Sequence, residues 1–280
     1  MRNKSIKSIS LFTREDNEVA KIWKKKIEDF VLKKYPKIKI SIKKPDVVIV
    51  LGGDGTILEA ARMYQKTGAI IFGLNLGRVG FLASVRERKN FFAGLKKLFS
   101  RNFEISERIM FEVDVVRGGK RIFSADAVND IVIQNPLSIV DLEVSIENHP
   151  VQYVRGNGIL IATPTGSTAY NLSAHGPIVS PDIKCLIITE LLDHNIPTPS
   201  LIVNTNKNIS IKILDFRKNE TIRLVDGGEA NVLLSVDGKN TFSFKLGDIV
   251  KVHGSNRVIK FAEVEKHYFF KSLQEKFAFK

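Results

Sequence analysis

The stretch Asp46 to Leu51 (DVVIVL) runs without a break into Gly52-Gly53-Asp54-Gly55-Thr56. A continuous β-branched run has no polar face, so a strand built from it must be covered on both sides. That is the situation of a strand inside a parallel sheet flanked by helices. The glycines then turn the chain, and Ile57 to Gln65 reads as a helix. Strand, glycine turn and helix in that order commit this part of the chain to an α/β architecture.

Its surroundings agree. Ser8 to Phe12 reads as a strand, and Thr13 with Asp16 three residues on offers a capping box for a helix. Val19, Ile22, Trp23, Ile27, Phe30 and Val31 mark that helix's apolar stripe. Ala69 to Leu74 reads as a strand and Arg88 to Phe99 as a helix. After about residue 104 the texture changes to short β-branched or alternating runs. These are Met110 to Arg117, Arg121 to Ala125, Ala127 to Gln134, Leu142 to Glu147, Val151 to Arg155 and Gly158 to Thr163. Ile209 to Leu214, Thr221 to Val225, Val232 to Val236, Thr241 to Phe244 and Ile249 to His253 continue the series. Turns are expected at Gly118-Gly119, Gly227-Gly228 and Asp237-Gly238. The spacing predicts a second, mostly antiparallel β domain. Phe269 to Phe279 returns to helical spacing, and its apolar stripe needs a surface to bury it. The expected division is 1–103 (α/β), 104–262 (β-rich) and 263–280 (a C-terminal helix packing back on the body).

Composition narrows the class. At 280 residues, 44% hydrophobic and 26% charged, the chain has enough apolar matter for a real core. Its longest apolar runs are strand-length, too short to span a membrane, and its first residues do not resemble a secretory signal. Cytoplasm is the expected compartment. The single cysteine, Cys185, reads as a buried free thiol. The formal charge of +13 favours anionic partners, but the basic residues are scattered and form no nucleic-acid stripe. The five histidines show no metal-ligand spacing, so no protein-only metal site is expected.

Two segments carry chemistry. In Gly52 to Thr56, three glycines let main-chain amides approach an anion, and the helix start behind them supplies partial positive charge. An aspartate among them sits where a phosphate would arrive. Accepting a proton from an attacking hydroxyl would give it a purpose there, and a solvated residue in a tight turn is the plainer alternative. The motif is not a Walker loop, because the Lys-Ser/Thr ending is missing. The second segment, Thr163 to Tyr170, is dense in hydroxyls and ends on an aromatic, which suits a ribose and a base. By composition alone an ordinary loop is the better reading.

Taken together, and with Gly73 to Leu82, Asn129-Asp130, Arg155 to Gly158, Ser173, Gly176-Pro177 and Ser235 to Gly238, these segments resemble the NAD kinase family. The resemblance covers most of the chain. It implies phosphorylation of the adenosine-ribose 2′-hydroxyl of NAD by ATP, giving NADP and ADP. By the same resemblance Asp54 would be the general base, and Gly52, Gly53, Gly55 and Thr56 would line the ATP phosphate site. NAD would be held by Asp54, Gly55, Asn129, Asp130, Arg155, Asn157, Thr165, Thr168, Ala169, Tyr170, Asn171, Ser173 and Lys239, with Tyr170 against the adenine. A divalent cation such as Mg2+ would travel with ATP. ATP and NAD would be the small-molecule partners, and the chain a homodimer or homotetramer binding neither nucleic acid nor membrane. Where most relatives have Asp after Arg-Gly, this chain has Asn157. Lys239 stands where the family often has Gln or Arg, and residues 190–200 match poorly. An Asn157 facing the nicotinamide carboxamide would lose the charge-assisted part of that contact. Three readings stay open beside this one: a diacylglycerol- or sphingosine-type lipid kinase sharing Gly52 to Thr56, a non-catalytic nucleotide sensor, and a nucleic-acid binder.

Overall fold

The computed structural model describes residues 5–41, 43–78, 80–194, 198–217, 221–223 and 228–277. The chain divides into two compact units, Met1–Arg108 with Val258–Lys280, and Ile109–Arg257.

In the first unit the strands Lys39–Ile40, Ser8–Thr13, Val47–Gly52 and Ile70–Asn75 lie side by side in that order, all parallel. Lys260 and Phe261, near the end of the long strand Ile249–Glu263, add a further parallel neighbour beside Ile70 and Ile71. Every residue of Val47–Gly52 is buried, as its unbroken apolar run requires. Helices Glu18–Lys34, Asp54–Tyr64, Phe91–Phe99 and Tyr268–Phe277 complete the unit. Its core gathers Ile9, Val47, Ile49, Leu51, Phe72, Leu74, Phe91 and Leu95.

Two expectations for the first helix are corrected. Its N-cap is Asn17, whose side-chain oxygen accepts the Ala20 N–H at 3.0 Å, because Thr13 is still the last residue of the strand before it. The buried line is Ala20, Ile27 and Val31, while Val19 and Ile22 are exposed. Those two lie about 80° and 140° round the helix from Ile27, too far to share its face.

The second unit is largely antiparallel. One sheet runs Leu201–Asn204, Cys185–Leu191, Gly158–Ala162, Asp130–Gln134, Leu233–Val236 and Lys239–Ser243. The other places the start of Ile249–Glu263 beside Ile209–Phe216, Val140–Ile146 and His149–Gly156. Both sheets contribute to one core, with Ile131, Ile133, Ile159 and Ile161 from the first and Leu142, Val144, Ile211 and Val250 from the second. The far face of the first sheet carries its own apolar group, Val132, Leu160, Ala162, Val179, Ile187 and the free, buried thiol of Cys185. Gly118-Gly119 and Asp237-Gly238 form the expected two-residue hairpin loops, each with both residues at positive φ.

The predicted strand Ala127 to Gln134 is two strands, Lys120–Ala127 and Asp130–Gln134, separated at Val128-Asn129. The strand predicted over Ile249 to His253 continues to Glu263. Gly227 of one predicted turn, Leu224 and Val225 of one predicted strand, Val79 and residues 278–280 of the predicted C-terminal helix lie outside the described residues. The architecture is thus an α/β unit with a parallel sheet, which includes the C-terminal helix, and a mostly antiparallel β unit.

Candidate active site

Asp54 is the first residue of the helix Asp54–Tyr64, placed there by the turn at Gly52-Gly53. Its carboxylate accepts the main-chain N–H of Phe81 at 2.7 Å on one oxygen and that of Leu82 at 3.2 Å on the other. A carboxylate oxygen has two acceptor positions, so each retains one for a proton or a substrate hydroxyl. Gly80 makes this approach possible, because a Cβ at that position would overlap both carboxylate oxygens. Burial pushes the carboxyl above the usual range, while the Phe81 and Leu82 amides and the nearby Lys276 ammonium hold it down.

The phosphate segment is open where an anion needs room. A Cβ at Gly53 would meet nothing within 4 Å, and one at Gly55 only the Arg14 guanidinium at 4.0 Å. The amides of Thr56 and Ile57 are used inside the turn, donating to the Gly53 carbonyl at 3.0 and 3.1 Å. Thr56 is buried with its side chain packed against Gly52.

In the second unit one carboxylate organises the break between two strands. Asp237 accepts the amides of Val128 (3.1 Å), Asn129 (2.7 Å) and Asp130 (3.1 Å), and its own amide donates to the Asp130 carbonyl at 2.9 Å. Asp130 is buried, and desolvation together with the neighbouring Asp237 charge raises its carboxyl to about 7. The Asn129 carbonyl accepts the Thr163 amide at 2.8 Å, and the Thr163 hydroxyl donates to the Val128 carbonyl at 2.6 Å. Asn129-Asp130 and the start of the Thr163 to Tyr170 segment are therefore fastened to each other. A Cβ at Gly166 would run into the Asn129 carbonyl, so glycine is required there too.

The remaining predicted NAD residues sort by what their side chains already do. Tyr170 and Ser173 are exposed, Thr168 and Ala169 partly so, and Thr165 is buried. Asn171 is fully buried and its amide is committed internally. It donates to the carbonyls of Ser167 (3.4 Å) and Pro177 (3.0 Å) and accepts the Thr189 hydroxyl at 2.8 Å. These bonds brace the loop that carries Tyr170. Arg155 is exposed and paired with Asp141 at 3.1 Å. Asn157 donates through Nδ2 to the carbonyls of Asn135 (3.2 Å) and Ser138 (3.5 Å). Lys239 is exposed at the start of its strand.

Comparison with known proteins is decisive about the family. The ATP-NAD kinase N-terminal domain model matches residues 1–103, and the ATP-NAD kinase C-terminal domain model matches residues 128–264. An NAD kinase of Natranaerobius thermophilus is 34% identical over 233 residues, covering 82% of this chain and 77% of the relative. One from Lachnoclostridium phytofermentans is 35% identical over 236 residues, covering 83% and 80%.

The chain belongs to the NAD kinase family.

Solved structures agree on the fold. Yeast NADH kinase complexed with NADH superposes with a TM-score of 0.87 at 20% identity, covering 98% of this chain and 88% of that one. An NAD kinase from Archaeoglobus fulgidus in complex with ATP gives 0.72 at 24%, covering 96% and 98%. Membership in the NAD kinase family sets aside the lipid-kinase alternative, which shares only the Gly52 to Thr56 segment.

Sequence reasoning assigned no role in the site to Asp237 or Gly80. The turn pair Asp237-Gly238 marked the first, but nothing local says that its carboxylate folds back on residues 128–130. Tyr268 and Arg86 also adjoin Asp54's supports, from sequence positions that no spacing rule connects.

Proposed function

We propose that this chain transfers the γ-phosphoryl group of ATP to the 2′-hydroxyl of the adenosine ribose of NAD. Asp54 takes the hydroxyl proton, the freed oxygen bonds to the γ-phosphorus, and the bond from that phosphorus to the β–γ bridging oxygen breaks. ADP and NADP leave. The observation that carries this reading is the Asp54 carboxylate itself. It is held by two amides with one acceptor position left on each oxygen, and burial raises its basicity toward the working pH.

In this reading the open Gly53–Gly55 amides receive donor phosphates, with Arg14, paired with Glu59, beside Gly55. Asn129, Asp130, Thr165, Thr168 and Ala169 face the nucleoside, Tyr170 stacks on adenine, and Arg155, Asn157, Ser173 and Lys239 lie toward the rest of NAD. Among the described residues no group of three or more His, Cys, Asp or Glu side chains could hold a metal. A divalent cation would arrive with ATP, bound mainly by phosphate oxygens and neutralising their charge.

By the same family reading the chain works as a homo-oligomer, a dimer or tetramer. No helix among the described residues is long and apolar enough to cross a membrane. The cytoplasm, where ATP and NAD are both abundant, is the proposed compartment. The test is direct: purified protein is incubated with ATP, Mg2+ and NAD, and NADP is read with an NADP-specific dehydrogenase. ATP-dependent accumulation of NADP supports the proposal. ATP turnover with a diacylglycerol acceptor and none with NAD would overturn it.

A further inference from the structure

The C-terminal helix Tyr268–Phe277 packs on Gly80 and Phe81, beside the amides that hold the Asp54 carboxylate. The Tyr268 hydroxyl donates to the Gly80 carbonyl at 3.3 Å, one residue before the first of the two amides that hold Asp54. Phe269 packs on Phe81 with ring centroids 5.9 Å apart, and the Lys276 ammonium lies over the Phe81 ring at 4.9 Å. Tyr268 is itself fixed. The Arg86 guanidinium stacks on its ring at 4.5 Å, and the same side chain donates to the Tyr268 carbonyl at 2.9 Å and to Ser272 Oγ at 3.2 Å. Arg86 is also paired with Glu275 on the same helix, so it grips the helix at three residues.

A buried cation held this way is costly to place, and nothing about folding the C-terminus demands it, since an apolar stripe alone would dock the helix. Its effect is to set the height and rotation of Tyr268 over the Gly80–Leu82 segment. We propose that Tyr268, locked by Arg86, is a positioning residue for phosphoryl transfer, fixing Gly80–Leu82 so that the Phe81 and Leu82 amides aim the Asp54 carboxylate at the acceptor hydroxyl.

This rests on the reading of Asp54 as the base. Hydrogen bonds to the ionised carboxylate favour that form, so loosening Gly80–Leu82 makes Asp54 harder to ionise. The groups facing Asp54 are the Tyr268 phenol and the Lys276 ammonium from the C-terminal helix. The Gly80–Leu82 segment carries no titratable side chain, and Glu59 on Asp54's own helix is paired with Arg14.

The test is Tyr268→Phe, which keeps the ring and the Arg86 stack and removes only the hydroxyl. Its kcat and KM are measured from pH 6 to 9 beside wild type and Phe270→Ala, an exposed residue of the same helix. The low-pH limb of kcat should move up by about half a unit to one unit. The deficit should then be severalfold at the lowest pH and shrink as pH rises, with KM for ATP and NAD within about twofold throughout. Phe270→Ala should follow wild type. A kcat unchanged at every pH, or a loss equal at every pH or appearing only as a lower melting temperature, would overturn the proposal. If Asp54→Asn keeps its turnover, the base reading has failed instead, whatever Tyr268→Phe does.

Discussion

The carboxylate of Asp237 accepts the main-chain N–H of Asn129 at 2.7 Å, across a separation of more than one hundred residues, and takes the Val128 and Asp130 amides with it. This contact ends one strand and starts the next, and it sets where the Asn129 and Asp130 side chains begin. An asparagine there keeps one acceptor but turns an N–H toward amides that also donate. Asp237→Asn should therefore destabilise the protein by about 1–3 kcal/mol, lowering the melting temperature, and should raise KM for NAD more than it lowers kcat. Calorimetry and steady-state kinetics check it. An unchanged melting temperature would remove Asp237 from this role.

Asp130 makes stability depend on pH. Its carboxyl is raised from 3.8 to about 7 in the folded state, mainly by burial and then by the Asp237 charge. At a pH below the unfolded value the group is protonated in both states and changes nothing. As pH rises through the folded value, the native state comes to carry a buried charge at its full cost, at most about 4 kcal/mol. Asp130→Asn stays uncharged, so its stability relative to wild type should climb between about pH 4 and pH 7 and then level off. Urea melts at several pH values measure this. A difference that does not vary with pH would show that Asp130 ionises normally.

Asn157 already uses its amide nitrogen on the carbonyls of Asn135 and Ser138. An aspartate would direct a carboxylate at two carbonyl oxygens. The sequence alone suggested that Asn157→Asp would tighten NAD severalfold. The structure predicts a loss of about 1–3 kcal/mol of stability, with parallel shifts in KM for NAD and NADH. Selective tightening of NAD with unchanged stability would restore the electrostatic role.

How much of this was legible in the sequence follows the range of each interaction. Asp46 to Leu51 announced a doubly covered strand, and the two positive-φ pairs Gly118-Gly119 and Asp237-Gly238 announced their hairpins, because those preferences are local. The first helix was recognised but capped four residues too early and rotated, since which of its apolar residues face inward depends on the sheet beneath it. Leu201–Asn204, with alternating exposure and only four residues, gave too short a pattern to stand out. At the site, Asp54 was visible because glycines surround it in sequence. Asp237, Gly80, Tyr268 and Arg86 were not, because each acts on residues between about 26 and nearly two hundred positions away through contacts that only the fold creates. Asn171 was visible as a motif residue, but not that its side-chain amide donates to the Ser167 and Pro177 carbonyls and accepts from Thr189.

The central claim is that Asp54 removes the proton from the 2′-hydroxyl of NAD, and single-turnover NADP formation by Asp54→Asn tests it most directly. The variant should still fold, since relief of the buried charge offsets the loss where Nδ2 faces one of the Phe81 and Leu82 amides, and should bind NAD within a few-fold of wild type. Its rate should fall by about two to four orders of magnitude. A folded variant that keeps more than about a tenth of the wild-type rate, below any loss expected for a missing base, would contradict the account.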